Sequence, residues 1–162
     1  MPSNLEIALE LDKVAEENEG PKRKERLIEM RIEALKIMKL LSAFSPVLIG
    51  SVWRGTIKQG SDIDIAVYTD NPEQILLTLK AGGFKITKTA WTTVNKQGAT
   101  LSSFHIYADT ASGHCVEIVA RTFEEAGKKR RCEVFGDILK GLNIKELQKT
   151  LETNPAEQFI PS

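Results

Sequence analysis

The sequence predicts an α/β (α+β) domain: a mixed β-sheet with helices before it and after it. Three observations carry this reading. Long stretches of three- and four-residue apolar spacing open the chain. Short runs rich in β-branched and aromatic residues, bounded by Gly and Asn turns, fill its middle. Helical spacing then returns towards the end, so the order is helices, strand, strand, helix, strands, helices.

Residues 4–18 and 23–44 read as the first two helices. In the second, Leu27, Met30, Ala34, Ile37, Met38, Leu41 and Phe44 fall on one apolar stripe. That stripe is long enough to serve partly as an interface with another copy. Gly20-Pro21 breaks the two helices apart, and Ser45-Pro46 ends the second. Pro46-Val47-Leu48-Ile49 begins a buried strand, and a loop rich in Gly, Thr and Ser leads to another from Ile63 to Tyr68. Asn71-Pro72 opens a helix through about Ala81, which Gly82-Gly83 stops. Strands follow at roughly 84–93, 101–108 and 114–121, separated by turns at Asn95-Lys96-Gln97-Gly98 and from Asp109 to Gly113. From Thr122 the chain reads as helical, interrupted at Gly136 and Gly141-Leu142-Asn143, and residues 154–162 read as a tail. Nothing marks an internal boundary, so the expectation is one domain over residues 1–162.

Composition narrows the class. Apolar residues make up 41% and charged residues 27% of 162, the balance of a globular chain that can bury a core without a disulfide or a metal. Two cysteines, Cys115 and Cys132, make no disulfide framework, and the N-terminus lacks the pattern of a signal peptide. No apolar run approaches the roughly 20 residues that span a bilayer. The expectation is a cytoplasmic protein with no membrane partner. With 22 basic and 22 acidic residues, the formal charge is zero. A protein built mainly to hold nucleic acid is usually basic, so this balance shifts weight towards a nucleotide plus a protein or small-molecule acceptor.

The informative stretch runs from Leu48 to Val67. Gly50-Ser51 leaves a buried strand for a helical turn, where glycine lets a phosphate approach and the next amides and hydroxyl can bond its oxygens. Ten residues on come Asp62 and Asp64 around Ile63. Residues two apart on a strand share a side, about 7 Å apart, so the two carboxylates repel unless a cation sits between them. Such hard oxygen ligands suit Mg²⁺ bridging to a triphosphate. Glu117 alternates with Val116 and Ile118 on a later strand, and a buried acid among β-branched neighbours needs a functional reason. Two metals about 3.5–4 Å apart can activate a hydroxyl and stabilise leaving pyrophosphate. Asp62 and Asp64 suit both ions; Glu117 suits the one beside the attacking oxygen and can accept its proton.

Gly-Ser, a spacer of about ten residues, Asp-x-Asp between apolar residues and a third acid on a later strand resemble the polymerase-β-like nucleotidyltransferase superfamily, above all its small stand-alone members, the minimal nucleotidyltransferases. Arg54-Gly55-Thr56 and Gly60-Ser61-Asp62-Ile63-Asp64 also look like the same stretch in archaeal CCA-adding enzymes. Val116-Glu117-Ile118-Val119 is similar to the strand that carries the third acid there, although that acid is usually Asp. The resemblance covers about residues 34–121, flanked by helical extensions. It implies the nucleotidyltransferase type of mixed sheet and an Mg²⁺-dependent transfer of NMP from an NTP to a hydroxyl, with release of pyrophosphate. It implies Asp62, Asp64 and Glu117 as catalytic ligands of two Mg²⁺ ions, and Gly50, Ser51, Arg54 and Ser61 at the nucleotide. The acceptor stays open among a protein, a small molecule and an RNA end. The alternative is a nucleotide-binding regulatory protein or an antitoxin-type partner of a small helical protein.

Several residues admit two readings. Arg54 suits a helix cap or a phosphate contact; Ser61 suits a brace for its loop as well as a substrate contact; Lys58 suits solvent. Lys128-Lys129-Arg130-Arg131 reads as a solvated helix face that could also hold an acceptor's phosphates. Trp53 and Trp91 suit burial against the sheet more than base stacking. His105, His114, Cys115 and Cys132 lack zinc-ligand spacing, and Cys115 reads as core.

Overall fold

A computed structural model describes residues 3–96 and 98–161. Ser3 caps α1 (Asn4–Glu19): its hydroxyl accepts from the Glu6 amide while the Glu6 carboxylate accepts from the Ser3 amide. Gly20 has φ 57°, a conformation that breaks the helix at low steric cost, and Pro21 opens α2 (Pro21–Leu40) at the position where a missing N–H matters least. The predicted stripe is real, but Leu27, Met30, Ala34, Ile37 and Met38 are spent inside the chain's own core. α2 also stops four residues earlier than its spacing suggests: Leu41 caps it, and Ser42–Phe44 tightens into a 3-10 turn before Pro46.

The sheet has five strands in the order β1-β2-β5-β4-β3. They are β1 (Val47–Ile49), β2 (Ile63–Tyr68), β3 (Lys85–Lys96), β4 (Ala99–Asp109) and β5 (Cys115–Arg121). β2 and β5 run parallel and every other pair antiparallel, so the sheet is mixed as predicted. Leu48, Ile63, Ile65, Val67, Ile106 and Ile118 alternate onto the face that packs against α2 and α4 (Glu73–Ala81). Each such side chain contributes roughly 1.5–3 kcal/mol on burial. The opposite face carries the polar residues of β2, β4 and β5. Of the turn at residues 95–98, Gln97 lies outside the described residues.

Three expectations fail in physically legible ways. The chain from Thr122 is not helical until α5 (Ile144–Thr153). Phe123–Glu125 makes one 3-10 turn, and an irregular stretch with an Arg131↔Ile138 bridge follows, turned by Gly136 (φ 77°) and Gly141 (φ 67°). Lys128-Lys129-Arg130-Arg131 therefore lies on irregular chain rather than a helix face. At the end of this stretch Leu142 exchanges two backbone hydrogen bonds with Leu48 (2.8 and 3.0 Å) and covers the outer edge of β1. The described part of 154–162 is no loose tail. Arg31, fully buried, donates to the carbonyls of Val52, Trp53, Pro155 and Glu157 at 2.7–2.9 Å. Trp91, finally, is 64% exposed, tilted against Phe104 where β3 runs beyond the helices, whereas Trp53 is buried as expected.

Candidate active site

β1 ends at Ile49, and the chain turns straight into the short helix α3 (Gly50–Arg54). Gly50 has φ 73°, and a Cβ there would collide with the Asp64 Oδ2. Glycine is thus required twice, for the backbone and for the approach to the acid. Ser51 follows, and its carbonyl accepts from the Gly55 and Thr56 amides at 2.8 and 3.0 Å. Those bonds close the loop that leads back to β2.

Asp62 precedes β2 and Asp64 lies within it, so the pair sits at the entrance of a strand that runs from Ile63 to Tyr68 as expected. Asp64 is directly opposite Glu117 across the parallel β2–β5 ladder. One carboxylate oxygen from each of Asp62, Asp64 and Glu117 lies within 4.8 Å of the others, and all three residues are half-buried. Burial, followed by the charges of Glu117 and Asp62, pushes the Asp64 carboxyl up to about 7. The donor set is three hard oxygens short of positive charge, which fits a small divalent cation such as Mg²⁺.

Glu117 has two partners that sequence reasoning missed. His105 donates from Nδ1 to Glu117 Oε1 at 2.7 Å, and Ser103 Oγ lies 3.0 Å from its other ring nitrogen. The Tyr107 hydroxyl donates to the same Oε1 at 3.2 Å. Burial and then the Glu117 charge raise the Tyr107 phenol above its ordinary range, which keeps it a donor. The available signal was alternation: His105 and Tyr107 are two apart on β4, and Tyr107 is paired with Glu117. Cys115, read as core, is half-buried beside Asp62; burial, then Asp62, raises its thiol, so it is poorly nucleophilic.

The other site candidates divide. Ser61 accepts from the Lys58 amide at 2.9 Å and braces the loop before β2, while Lys58 is exposed. Arg54 is not brought to the acids. It is buried, its guanidinium is held by Asp137 (2.6 and 3.1 Å) and the Phe159 carbonyl (3.1 Å), and it lies over the rings of Trp53 and Phe135. Its hydrogen-bonding capacity is used structurally, and it holds the Asp137 carboxyl below the usual range.

The sequence model of the nucleotidyltransferase domain family matches residues 31–138. No curated protein matches the chain significantly. Among solved structures, a cytoplasmic RNA terminal U-transferase is 20% identical at TM-score 0.38, over 72% of this chain and 36% of its own. Cid1 with the UTP analogue UMPNPP is 20% identical at TM-score 0.41, over 62% and 32%. The GLD-2/RNP-8 complex gives 12% identity at TM-score 0.40, over 75% and 39%. The chain thus spans between about a third and two fifths of the length of each of these. Among the described residues, no helix is long and apolar enough to cross a membrane.

Proposed function

The chain belongs to the nucleotidyltransferase domain family, and on that premise we propose that it transfers NMP from an NTP to a hydroxyl acceptor, releasing pyrophosphate. The observation that carries the reading is the convergence of Asp62, Asp64 and Glu117 beside Gly50. Asp62, Asp64 and Glu117 are the residues that would hold magnesium, two ions in our reading. Bound there, it supplies positive charge for the triphosphate and makes the acceptor hydroxyl more acidic.

The chain's own residues account for the rest. Gly50 gives the triphosphate room against the backbone, and the α3 amides and Ser51 hydroxyl bind its oxygens. Ser61 keeps the preceding loop in place for Asp62 and Asp64. The hydroxyl oxygen attacks the α-phosphorus, the bond to the β-phosphate oxygen breaks, and pyrophosphate leaves with those electrons. The hydroxyl proton passes to the Glu117 carboxylate, whose orientation His105 and Tyr107 fix from behind. We place this reaction in the cytoplasm.

The test is incubation of the protein with Mg²⁺, each radiolabelled NTP in turn and cell lysate. Label should appear covalently on an acceptor and disappear with chelator. Label that is bound but never transferred would reject the enzyme reading in favour of a nucleotide-binding regulator.

A further inference from the structure

On β5, Glu117, Val119 and Arg121 share one side, and β4 sets His105 opposite Val119 on that same side. Beyond His105 the face opens into two adjoining hollows. The first, about 230 Å³, is lined by His105, Val119 and Arg121 among others. The second, about 850 Å³, meets it along Arg121, Glu125 and Arg130 and ends at Lys128 and Lys129.

The larger hollow is lopsided in charge. Five cationic residues line it against two acids. The buried Glu125 carboxylate is shared by Lys128 (3.4 Å) and Arg130, so one negative charge serves two positive ones. Arg121 is half-buried and forms no ion pair among the described residues; burial, then the Arg130 charge, holds its guanidinium below the usual range. Two guanidinium groups that repel at the floor of a hollow are relieved by an anion.

Position says which anion. Gly50 leaves β1 next to the entrance of β2, because Ile49 pairs with Asp64. Arg121 is at the opposite, C-terminal end of β5, beside Tyr68. Residues four apart on a strand are about 13 Å apart, so Arg121 is well removed from Glu117 along the sheet. In-line displacement sets the attacking oxygen and the leaving group on opposite sides of the phosphorus. With the pyrophosphate towards α3 on the β1 side, the acceptor lies on the side of β5 and β4, which carry Glu117, His105 and Arg121. Resting on the transfer reaction proposed above, we infer that the hollow over Arg121, Arg130 and Lys128 binds the phosphates of the acceptor. The acceptor is thus a phosphate-bearing molecule, a nucleotide or the end of a single-stranded nucleic acid, despite the chain's zero net charge.

The experiment titrates the 162-residue protein into a fluorescently labelled single-stranded oligonucleotide without NTP, reading anisotropy at several salt concentrations. Unlabelled nucleoside monophosphate is the competitor in a second arm. Saturable, salt-dependent binding is expected, weakened at least fivefold in Lys128→Gln/Lys129→Gln and in Arg121→Gln. The slope of log affinity against log salt should flatten by about 0.7 for each phosphate that a variant leaves without its cation. The rise in melting temperature with Mg²⁺-ATP should survive in each variant. Competition by the monophosphate identifies a small acceptor; competition only by oligonucleotide identifies a chain end. Absence of binding by both probes, or equal binding by wild type and variants, overturns the inference while an intact Mg²⁺-ATP response leaves the transfer reaction standing. Loss of that response in the variants also overturns it, by giving the hollow to the triphosphate. If Arg121→Gln fails to fold, the exposed Lys128/Lys129 pair still decides.

Discussion

His105 Nδ1 lies 2.7 Å from Glu117 Oε1, across two antiparallel strands and with Tyr107 donating to the same oxygen. The third acid of the cluster is therefore oriented by partners behind it, whereas among the described residues neither Asp62 nor Asp64 has a histidine or tyrosine donor of this kind. His105→Ala should lower transfer about 10–100-fold while leaving nucleotide binding within a few-fold, the usual cost of losing an orienting partner. Tyr107→Phe, removing one longer hydrogen bond, should cost less than tenfold. Steady-state transfer kinetics beside nucleotide titrations check both; equal losses in binding and transfer would reject an orienting role.

Asp64 makes the apo protein's stability depend on pH with a definite sign. Its folded pKa, about 7, is above its ordinary value of 3.8, so between those values the folded state holds the extra proton. The Asp64 contribution to stability should therefore fall as pH rises from about 4 to about 7, with no penalty below and the full penalty above. Asp64→Asn should be the more stable protein at pH 8, by at most about 4 kcal/mol, and the two should converge near pH 4. Denaturant melts in chelator across that range measure it.

Glu117→Gln keeps the shape of its side chain but loses its charge and its capacity to take a proton. It should still show a rise in melting temperature with Mg²⁺ and NTP, while transfer falls 100-fold or more. Asp62→Asn should reduce both. Full transfer activity in Glu117→Gln would remove Glu117 from the chemistry, whatever the aspartates do.

Gly50→Ala combines positive φ with a collision against Asp64. It should cost about 2–3 kcal/mol, a drop of roughly 4–10 °C in melting temperature, and should abolish nucleotide binding. Thermal melts with and without Mg²⁺-NTP separate the two effects.

Arg54→Gln tests the reassignment of that residue. Loss of its pairing with Asp137 and of its place between two aromatic rings should destabilise the protein by about 2–4 kcal/mol. The stabilisation by Mg²⁺-NTP should persist in the folded fraction. Its disappearance would restore Arg54 to the nucleotide.

What the sequence made legible was local and periodic. The α2 stripe, the alternation around Ile63 and Ile118, and the Gly-Ser to Asp-x-Asp spacing each lie within one or two turns or strands. That the strands bearing Asp64 and Glu117 are neighbours was legible from the need to gather the acids; their parallel direction, and the register that sets Asp64 opposite Glu117, were not. Non-local partners were not legible. Nothing near Arg54 in sequence announces Asp137, and alternation along β4 sets His105 and Tyr107 on one side without naming Glu117 as their partner. The segment after Thr122 has helix-forming residues, yet bridges to Leu48 and between Arg131 and Ile138 take its backbone bonds instead. There tertiary pairing overrides propensity.

Arg31 binds carbonyls at residues 52 and 53 and again at 155 and 157. A chain made from its N-terminus meets these four acceptors at very different times. The helix that bears Gly50 and Ser51 emerges with half of its clamp and receives the other half from a segment more than a hundred positions later. Until residues 155 and 157 have been made, the helix that begins at Gly50 therefore has only part of its Arg31 anchorage.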